Sequence, residues 1–327
     1  MARYIDPDVT QGVNIGFTAI MIVPLIAITC ITYSRARRLK DAARVTTTYF
    51  KTMLPLAILW LILYMIAGIL SMVYNRGNLD GEIVYHAQLR ISSLSNLFNY
   101  LTDLLLIMTL VEMGNGLLFC LTQTRTRLQM AMRYAAITTC VILAMLTIAL
   151  FGVQNAEYSQ SFNSRWYGFG DALYVASRRM SSALYILTFV WSLVLLIFAA
   201  IVFHKTKRNY VLKNSAMLFL VAAVLNLTTH LYMLFYVSIF ILSSFYLYDS
   251  YETYTALMFV DPIISVWIFV AVVSLVCAIV IRKHNGLWTT LQPWMDAQGP
   301  PALVASPSYK GPGEQWHQPS NNHVLDV

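Results

Sequence analysis

Ionisable side chains stand inside apolar stretches of this chain, where a charge is costly. Asp103 and Glu112 lie in NYLTDLLLIMTLVEMGNGLLF (99–119), and two other apolar stretches contain His230 and Asp261. A charged group facing lipid costs several kcal/mol, so such a residue marks a functional site by default. If Asp103 and Asp261 share a site, one holds a proton at neutral pH, because adjacent carboxylates repel. These two candidate catalytic residues would donate a proton to an apolar substrate or bind a cation.

The polar neighbours of these residues follow helical spacing. One stripe has intervals of four, three and four residues, and a second pair is four residues apart: Ser92, Asn96, Asn99 and Asp103, then Asn226 and His230. Such intervals share one face of a helix. A rise of about 1.5 Å per residue places His230 near the bilayer midplane and both aspartates outward of it. We therefore expect one ligand-binding site in the outer half of the membrane, formed by Asn99, Asp103, Asn226, His230 and Asp261.

Two structural interpretations compete with a binding site. Asn96, Asn99 and Asn226 are of the type that links helices by hydrogen bonds in polytopic bundles. Alternatively, Arg178 or Arg179 is the counter-ion of one of the aspartates.

Glu112 belongs to a different environment from Asp103. The two are nine residues apart and, at about 100° per residue, point to opposite sides of a helix. Glu112 stands in VEMGNG with Gly114, Asn115 and Gly116. Small residues let a neighbouring backbone come close, so Glu112 and Asn115 are predicted to be structural polar residues in a tight helix contact. A switch near the cytoplasmic face is the alternative role for Glu112.

The elements that must position these residues are membrane-spanning helices. Hydrophobic residues make up 58% of the chain, charged residues make up 11%, and the mean hydropathy is +0.62, as is typical of membrane proteins. A span needs about 20 apolar residues to cross roughly 30 Å of hydrocarbon. Seven stretches qualify: Gly12–Tyr33, Met53–Tyr74, Ser92–Leu121, Tyr134–Val153, Ser181–Phe203, Ser215–Phe245 and Ala256–Ile281. The expected fold class is all-α, a polytopic membrane protein with a bundle of seven transmembrane helices.

The basic residues predict the orientation of this bundle. Of the 22 Lys and Arg residues, 16 follow spans one, three, five and seven. By the positive-inside rule, the N-terminus is outside and the C-terminus is cytoplasmic. This sorting accounts for the net charge of +7, so no nucleic-acid partner is expected. The basic inner loops are the candidate contact for a cytoplasmic protein partner.

Four segments are predicted along the chain. Residues 1–11 form a short outer N-terminus, and residues 12–281 form the seven-helix transmembrane domain. Residues 282–297 form an interfacial amphipathic segment with Trp288, Leu291 and Trp294 at helical spacing. Residues 298–327, rich in Pro, Gly, Ser, Asn and Gln, form a disordered cytoplasmic tail.

The sequence has no signature of a familiar enzyme or metal site. HExxH, GxSxG, a Walker-type loop and Cys/His metal spacing are all absent from it. The histidines are scattered, so neither a metal nor a cofactor is expected. The four cysteines lie in or at the ends of spans and are expected to be unpaired packing residues: Cys30, Cys120, Cys140 and Cys277.

Seven spans, an outer N-terminus, basic inner loops and a following amphipathic stretch resemble a G-protein-coupled receptor over residues 12–297. The chain departs from the largest receptor class at the inner end of span three, where CLTQTRTRLQ has no acidic-Arg-aromatic triplet. DPIIS (261–265) resembles the span-seven motif but lies near the outer end, and span seven has no lysine for retinal. In its general sequence character the chain resembles uncharacterised seven-span membrane proteins of filamentous fungi, some of which accompany terpenoid and other secondary-metabolite pathways.

The leading hypothesis is a receptor-like protein in the plasma membrane or endoplasmic reticulum, surrounded by membrane lipids. It would bind a small lipophilic or amphiphilic molecule in an outer-half cavity, roofed by the tyrosine-rich segment 243–256. The alternative is a membrane-embedded enzyme or accessory protein of a fungal secondary-metabolite pathway, with an intramembrane carboxylic acid as catalyst. A proton-coupled transporter comes third, since no inverted repeat is visible.

Overall fold

A computed structural model of the chain describes residues 7–36, 42–77, 81–122, 124–161, 167–238, 259–282 and 287. Within these ranges the regular structure is helical, without strands. The helices are α1 (Pro7–Arg35), α2 (Thr46–Asn75), α3 (Gly81–Thr122), α4 (Arg127–Ser161), α5 (Tyr167–Thr206), α6 (Tyr210–Tyr236) and α7 (Ile268–Ile281). A 3₁₀ turn, Ala42–Arg44, precedes α2, and a π-helical turn, Pro262–Trp267, precedes α7.

Helices α1 to α6 are long and apolar enough to cross a membrane. So is the segment Phe259–Ile281, which includes the π-helical turn and α7 and forms the seventh span. The predicted all-α class with seven spans is therefore confirmed. The predicted segments 282–297 and 298–327 and the tyrosine-rich segment 243–256 lie outside the described residues, apart from Arg282 and Leu287. All four cysteines are unpaired.

Helix α3 lies at the centre of the bundle. In its most apolar window 83% of the residues are buried, against 17–56% in the other spans, and it packs against α2, α4, α5 and α6. Its glycines make this closeness possible. A Cβ atom on Gly114 would overlap the Phe198 ring, and one on Gly116 would overlap the Ala43 carbonyl oxygen. Larger residues there would push α5 and the 3₁₀ turn away from α3.

Proline at position 262 interrupts the seventh span. Because proline has no N–H and clashes with the preceding turn, the backbone adopts the wider π-helical turn before α7 begins. The Thr229 hydroxyl of α6 donates to the Ile264 carbonyl at 3.3 Å. The Trp267 indole N–H donates to the Phe17 carbonyl of α1 at 3.1 Å, and the rings of Trp267 and Phe17 pack edge to face. The turn is thus held between α1 and α6.

Arg44 ties the start of α2 to the end of α7. Its side chain is fully buried and donates to the Val280 carbonyl at 2.7 Å. A cation near the last carbonyl groups of a helix is stabilised by the helix dipole. The sequence pattern assigned Arg44 only to a basic loop.

Candidate functional site: a polar cavity in the bundle core

A cavity of about 40 Å³ lies among α2, α3, α5, α6 and the seventh span. We call it the central cavity. It has room for about two or three waters, since one water needs about 10–15 Å³. Its polar lining consists of Asn99, Asp103, Tyr185, Thr188, Asn226, Thr229, His230 and Ser265. Its apolar lining consists of Trp60, Leu106, Met233, Phe269 and Val272. Four of the five residues predicted to form the ligand site therefore meet here.

Helical spacing brings the polar side chains into the cavity in pairs. Asn99 and Asp103 come from successive turns of α3, and Asn226 and His230 come from successive turns of α6. Asn226 and His230 are buried, with 3% and 5% of their surfaces exposed. Among the residues that the structure describes, the Asn226 Nδ2 group has no hydrogen-bond partner. A buried donor without a partner destabilises the fold by about 1–3 kcal/mol, and a bound ligand with an acceptor group would remove this cost.

Asp103 also faces the cavity without a protein partner. Among the described residues, its carboxyl group makes neither a hydrogen bond nor an ion pair. Over the same ranges, Arg178 and Arg179 form no ion pair with Asp103 or Asp261. The geometry therefore does not support a structural counter-ion for either aspartate.

Asp261 stands apart from the central cavity. It precedes the π-helical turn, and its carboxyl group lies beside the Tyr232 hydroxyl without a hydrogen bond of ordinary geometry. Tyr185 is within electrostatic range of both Asp103 and Asp261. This tyrosine, which the sequence analysis missed, is the neighbour common to the two acids. Tyr185 lies only four residues after the predicted start of span five at Ser181, so its sequence position did not distinguish it from an interfacial tyrosine.

The outer part of the predicted polar stripe lines a different pocket. Ser92 and Asn96 border a space of about 310 Å³ between α1, α2 and α3, which we call the α1–α3 pocket. Gln11, Asn14, Tyr64, Ser71, Gln88 and Ser95 complete its polar lining. Because Asn96 and Asn99 occupy successive turns of one α3 face, this pocket and the central cavity border the same stripe.

Glu112 and Asn115 lie on the contact between α3 and α4. The Glu112 Oε1 atom is 3.2 Å from Arg133 Nε, and the Asn115 backbone carbonyl accepts from Gln129 Nε2 at 3.2 Å. Both Glu112 and Asn115 are buried, and neither lines the central cavity. The two acids of α3 thus belong to separate sites.

Across the ranges that the structure describes, no group of three or more His, Cys, Asp and Glu side chains is placed to hold a metal ion. Comparison of the chain with protein-family models, curated proteins and solved structures gives no match.

Proposed function

We propose that this multi-pass membrane protein is receptor-like and binds the hydroxyl group of a small amphiphilic molecule in the central cavity. The observation that carries the proposal is the pairing of a buried donor with an acceptor. Asn226 Nδ2 lacks a partner, and the Asp103 carboxyl group faces the same space without one. A hydroxyl group satisfies both at once, since it donates one hydrogen bond and accepts another.

The central cavity and the α1–α3 pocket differ in size, so in this proposal they bind different parts of the ligand. The central cavity, at about 40 Å³, accepts a hydroxyl group and little else. The α1–α3 pocket, at about 310 Å³, falls at the lower end of the roughly 300–1,000 Å³ usual for small-molecule sites. In this proposal the body of the ligand occupies the α1–α3 pocket, and its hydroxyl group follows the α3 stripe to Asp103.

The test compares alcohols with their methyl ethers. Octan-1-ol and farnesol, each beside its methyl ether, are added to the purified protein, and the thermal unfolding midpoint is measured. We expect each alcohol to raise the midpoint more than its ether, which cannot donate to Asp103. Asp103→Asn should weaken alcohol binding at least tenfold, or about 1.4 kcal/mol, because a charge-assisted hydrogen bond is replaced by a neutral one.

The control is Glu82→Gln. It makes the same carboxyl-to-amide change on the same helix, but Glu82 is 79% exposed and lies outside both spaces. It should leave alcohol binding unchanged. Equal stabilisation by alcohols and ethers, or an equal loss in both variants, contradicts the proposal.

A membrane-embedded acid catalyst is the second candidate, favoured by the shared position of Asp103 and His230. The two line one water-sized space, an arrangement suited to holding and passing a proton. Formation of a dehydrated or cyclised product from farnesol by the wild-type protein, and its loss in Asp103→Asn, would favour this candidate over a receptor. A proton-coupled transporter would instead acidify proteoliposomes as substrate enters.

A further inference from the structure

A larger cavity of about 360 Å³ lies between α3 and α4, near the connection that joins them. We call it the α3–α4 cavity. Its polar lining is Glu112, Asn115, Arg125, Gln129 and Arg133, and its apolar lining includes Phe119, Tyr134 and Ile137. It shares no residue with the central cavity or the α1–α3 pocket.

Two polar groups in this cavity are available to a ligand. Gln129 is used within the protein, because its Oε1 accepts from the Thr126 N–H at 2.7 Å and its Nε2 donates to α3. Arg125 is exposed and lies within electrostatic range of Glu112, but among the described residues it makes no hydrogen bond or ion pair. The Asn115 Oδ1 atom has no hydrogen-bond partner, although Asn115 is only 8% exposed. The cavity thus offers a cation to an anionic group and a buried acceptor to a donor.

The formal charges of the lining favour an anion. Arg125 and Arg133 contribute two positive charges and Glu112 one negative charge, which leaves one positive charge in excess. Arg133 pairs with Glu112 through Nε, and a guanidinium has further N–H groups for an oxyanion.

An apolar groove continues from the cavity along the bundle surface. It has a volume of about 330 Å³ between α2, α3 and α4, and we call it the α2–α4 groove. Its lining includes Leu104, Met108, Cys140, Val141 and Ala144. Ile137 lines both the groove and the α3–α4 cavity, so the two spaces are adjacent.

The α3–α4 cavity and the α2–α4 groove together correspond in length to one leaflet. Arg133 and Ala144 are eleven residues apart on α4, or about 16 Å at 1.5 Å per residue. Half of a hydrocarbon core of roughly 30 Å is about 15 Å. A molecule with its charged end at Arg133 and an apolar chain in the groove therefore spans a single leaflet.

We propose that the α3–α4 cavity and the α2–α4 groove together bind one glycerophospholipid whose headgroup carries a hydrogen-bond donor, as in phosphatidylethanolamine. Arg125 and Arg133 bind its phosphate, Asn115 Oδ1 accepts from its ammonium group, and one acyl chain lies in the groove. This site is independent of the central cavity and of the function proposed for it.

The test measures lipid binding to the purified full-length protein by native mass spectrometry and by thermal stabilisation. The probes are phosphatidylethanolamine, phosphatidylcholine with identical acyl chains, and glycerophosphoethanolamine, which has no acyl chains. We expect phosphatidylethanolamine to bind at least tenfold more tightly than phosphatidylcholine, whose trimethylammonium group has no N–H to donate. Asn115→Leu should remove this preference, and Arg125→Gln should weaken the binding of both lipids.

The matched control for Arg125→Gln is Arg127→Gln. Arg127 is exposed and two residues away but does not line the cavity, so its loss should leave lipid binding unchanged. Each variant is compared after its unfolding midpoint without lipid is shown to equal that of the wild type, and Asn115→Ser replaces Asn115→Leu if the latter is unstable. Equal binding of the two lipids, equal losses in the two arginine variants, or binding of glycerophosphoethanolamine as tight as that of the lipid would overturn the proposal.

Discussion

At the scale of single residues, Asp103 and Glu112 occupy different surroundings although one helix carries both. Asp103 faces the central cavity without a protein partner, whereas Glu112 pairs with Arg133 across the α3–α4 contact. An acid without a partner in the bundle core is available to a ligand. An acid that pairs two helices is needed for packing.

The Glu112 pair is testable by a double-mutant cycle. Glu112→Leu leaves Arg133 without its partner and should destabilise the protein by about 1–2 kcal/mol, less than for a fully buried pair because the Arg133 side chain is 31% exposed. Glu112→Leu combined with Arg133→Leu should recover part of that loss. Thermal unfolding of the purified variants gives the comparison, and additive losses would show that the two side chains do not act together.

Gly116 provides a second prediction at this scale. A Cβ atom there would overlap the Ala43 carbonyl oxygen, and backbone cannot move aside as a side chain can, so Gly116→Ala should cost about 1–3 kcal/mol. Gly152→Ala is the matched control. Gly152 lies in α4 with no atom within 4 Å of an added Cβ, so alanine should be neutral or stabilising by up to about 1 kcal/mol. Similar unfolding midpoints for the two variants would refute the close approach at Gly116.

The sequence predicted some of these residues and missed others for definite reasons. Helical spacing and the cost of polar groups in lipid are visible in the sequence, and they grouped four residues that line one cavity: Asn99, Asp103, Asn226 and His230. Arg44 was missed, because a basic residue near a span end is indistinguishable from a loop charge until its burial against α7 is seen. Depth within a span is also only approximate from the sequence: Ser265 lines the central cavity, whereas Asp261, four residues before it, does not.

At the scale of elements, the seventh span owes its form to Pro262 and to the helices beside it. Proline removes a donor and breaks the regular helix, which is visible in the sequence. The sequence does not show that the Ile264 carbonyl accepts from Thr229, because Thr229 belongs to α6 and lies 35 residues away in the chain. Helix α3 likewise begins at Gly81, eleven residues before the predicted Ser92, because its first turns mix polar and apolar residues and continue the helix beyond the uninterrupted apolar stretch.

The contact between α6 and the π-helical turn is testable with two adjacent threonines. Thr229→Val keeps the shape of the side chain but removes the hydrogen bond to Ile264, and should cost about 0.6 kcal/mol, and at most about 1.7 kcal/mol. Thr228→Val is the control, because Thr228 is exposed and its hydroxyl bonds only within α6. Unfolding midpoints that fall equally in both variants would indicate that the bond to Ile264 contributes nothing.

At the scale of the whole molecule, orientation decides which leaflet and which compartment each site meets. The helices alternate in direction, so the α3–α4 cavity and the α1–α3 pocket lie toward opposite ends of the bundle. With 16 of 22 basic residues after the odd-numbered spans, the α3–α4 cavity is expected in the cytoplasmic leaflet. The α1–α3 pocket is then expected to open to the outside.

Reporter placement tests this orientation. A reporter fused after Val327 should be cytoplasmic, and a glycosylation acceptor inserted between Ser161 and Tyr167, after α4 ends, should be modified. The same acceptor inserted between Thr122 and Arg127, where α3 joins α4, should stay unmodified if the basic end faces the cytoplasm as the positive-inside rule predicts. Modification at the second position and not at the first would show that the molecule has the opposite orientation in the membrane. The α3–α4 cavity would then face the outer leaflet, and a ligand of the central cavity would have to arrive from the cytoplasm.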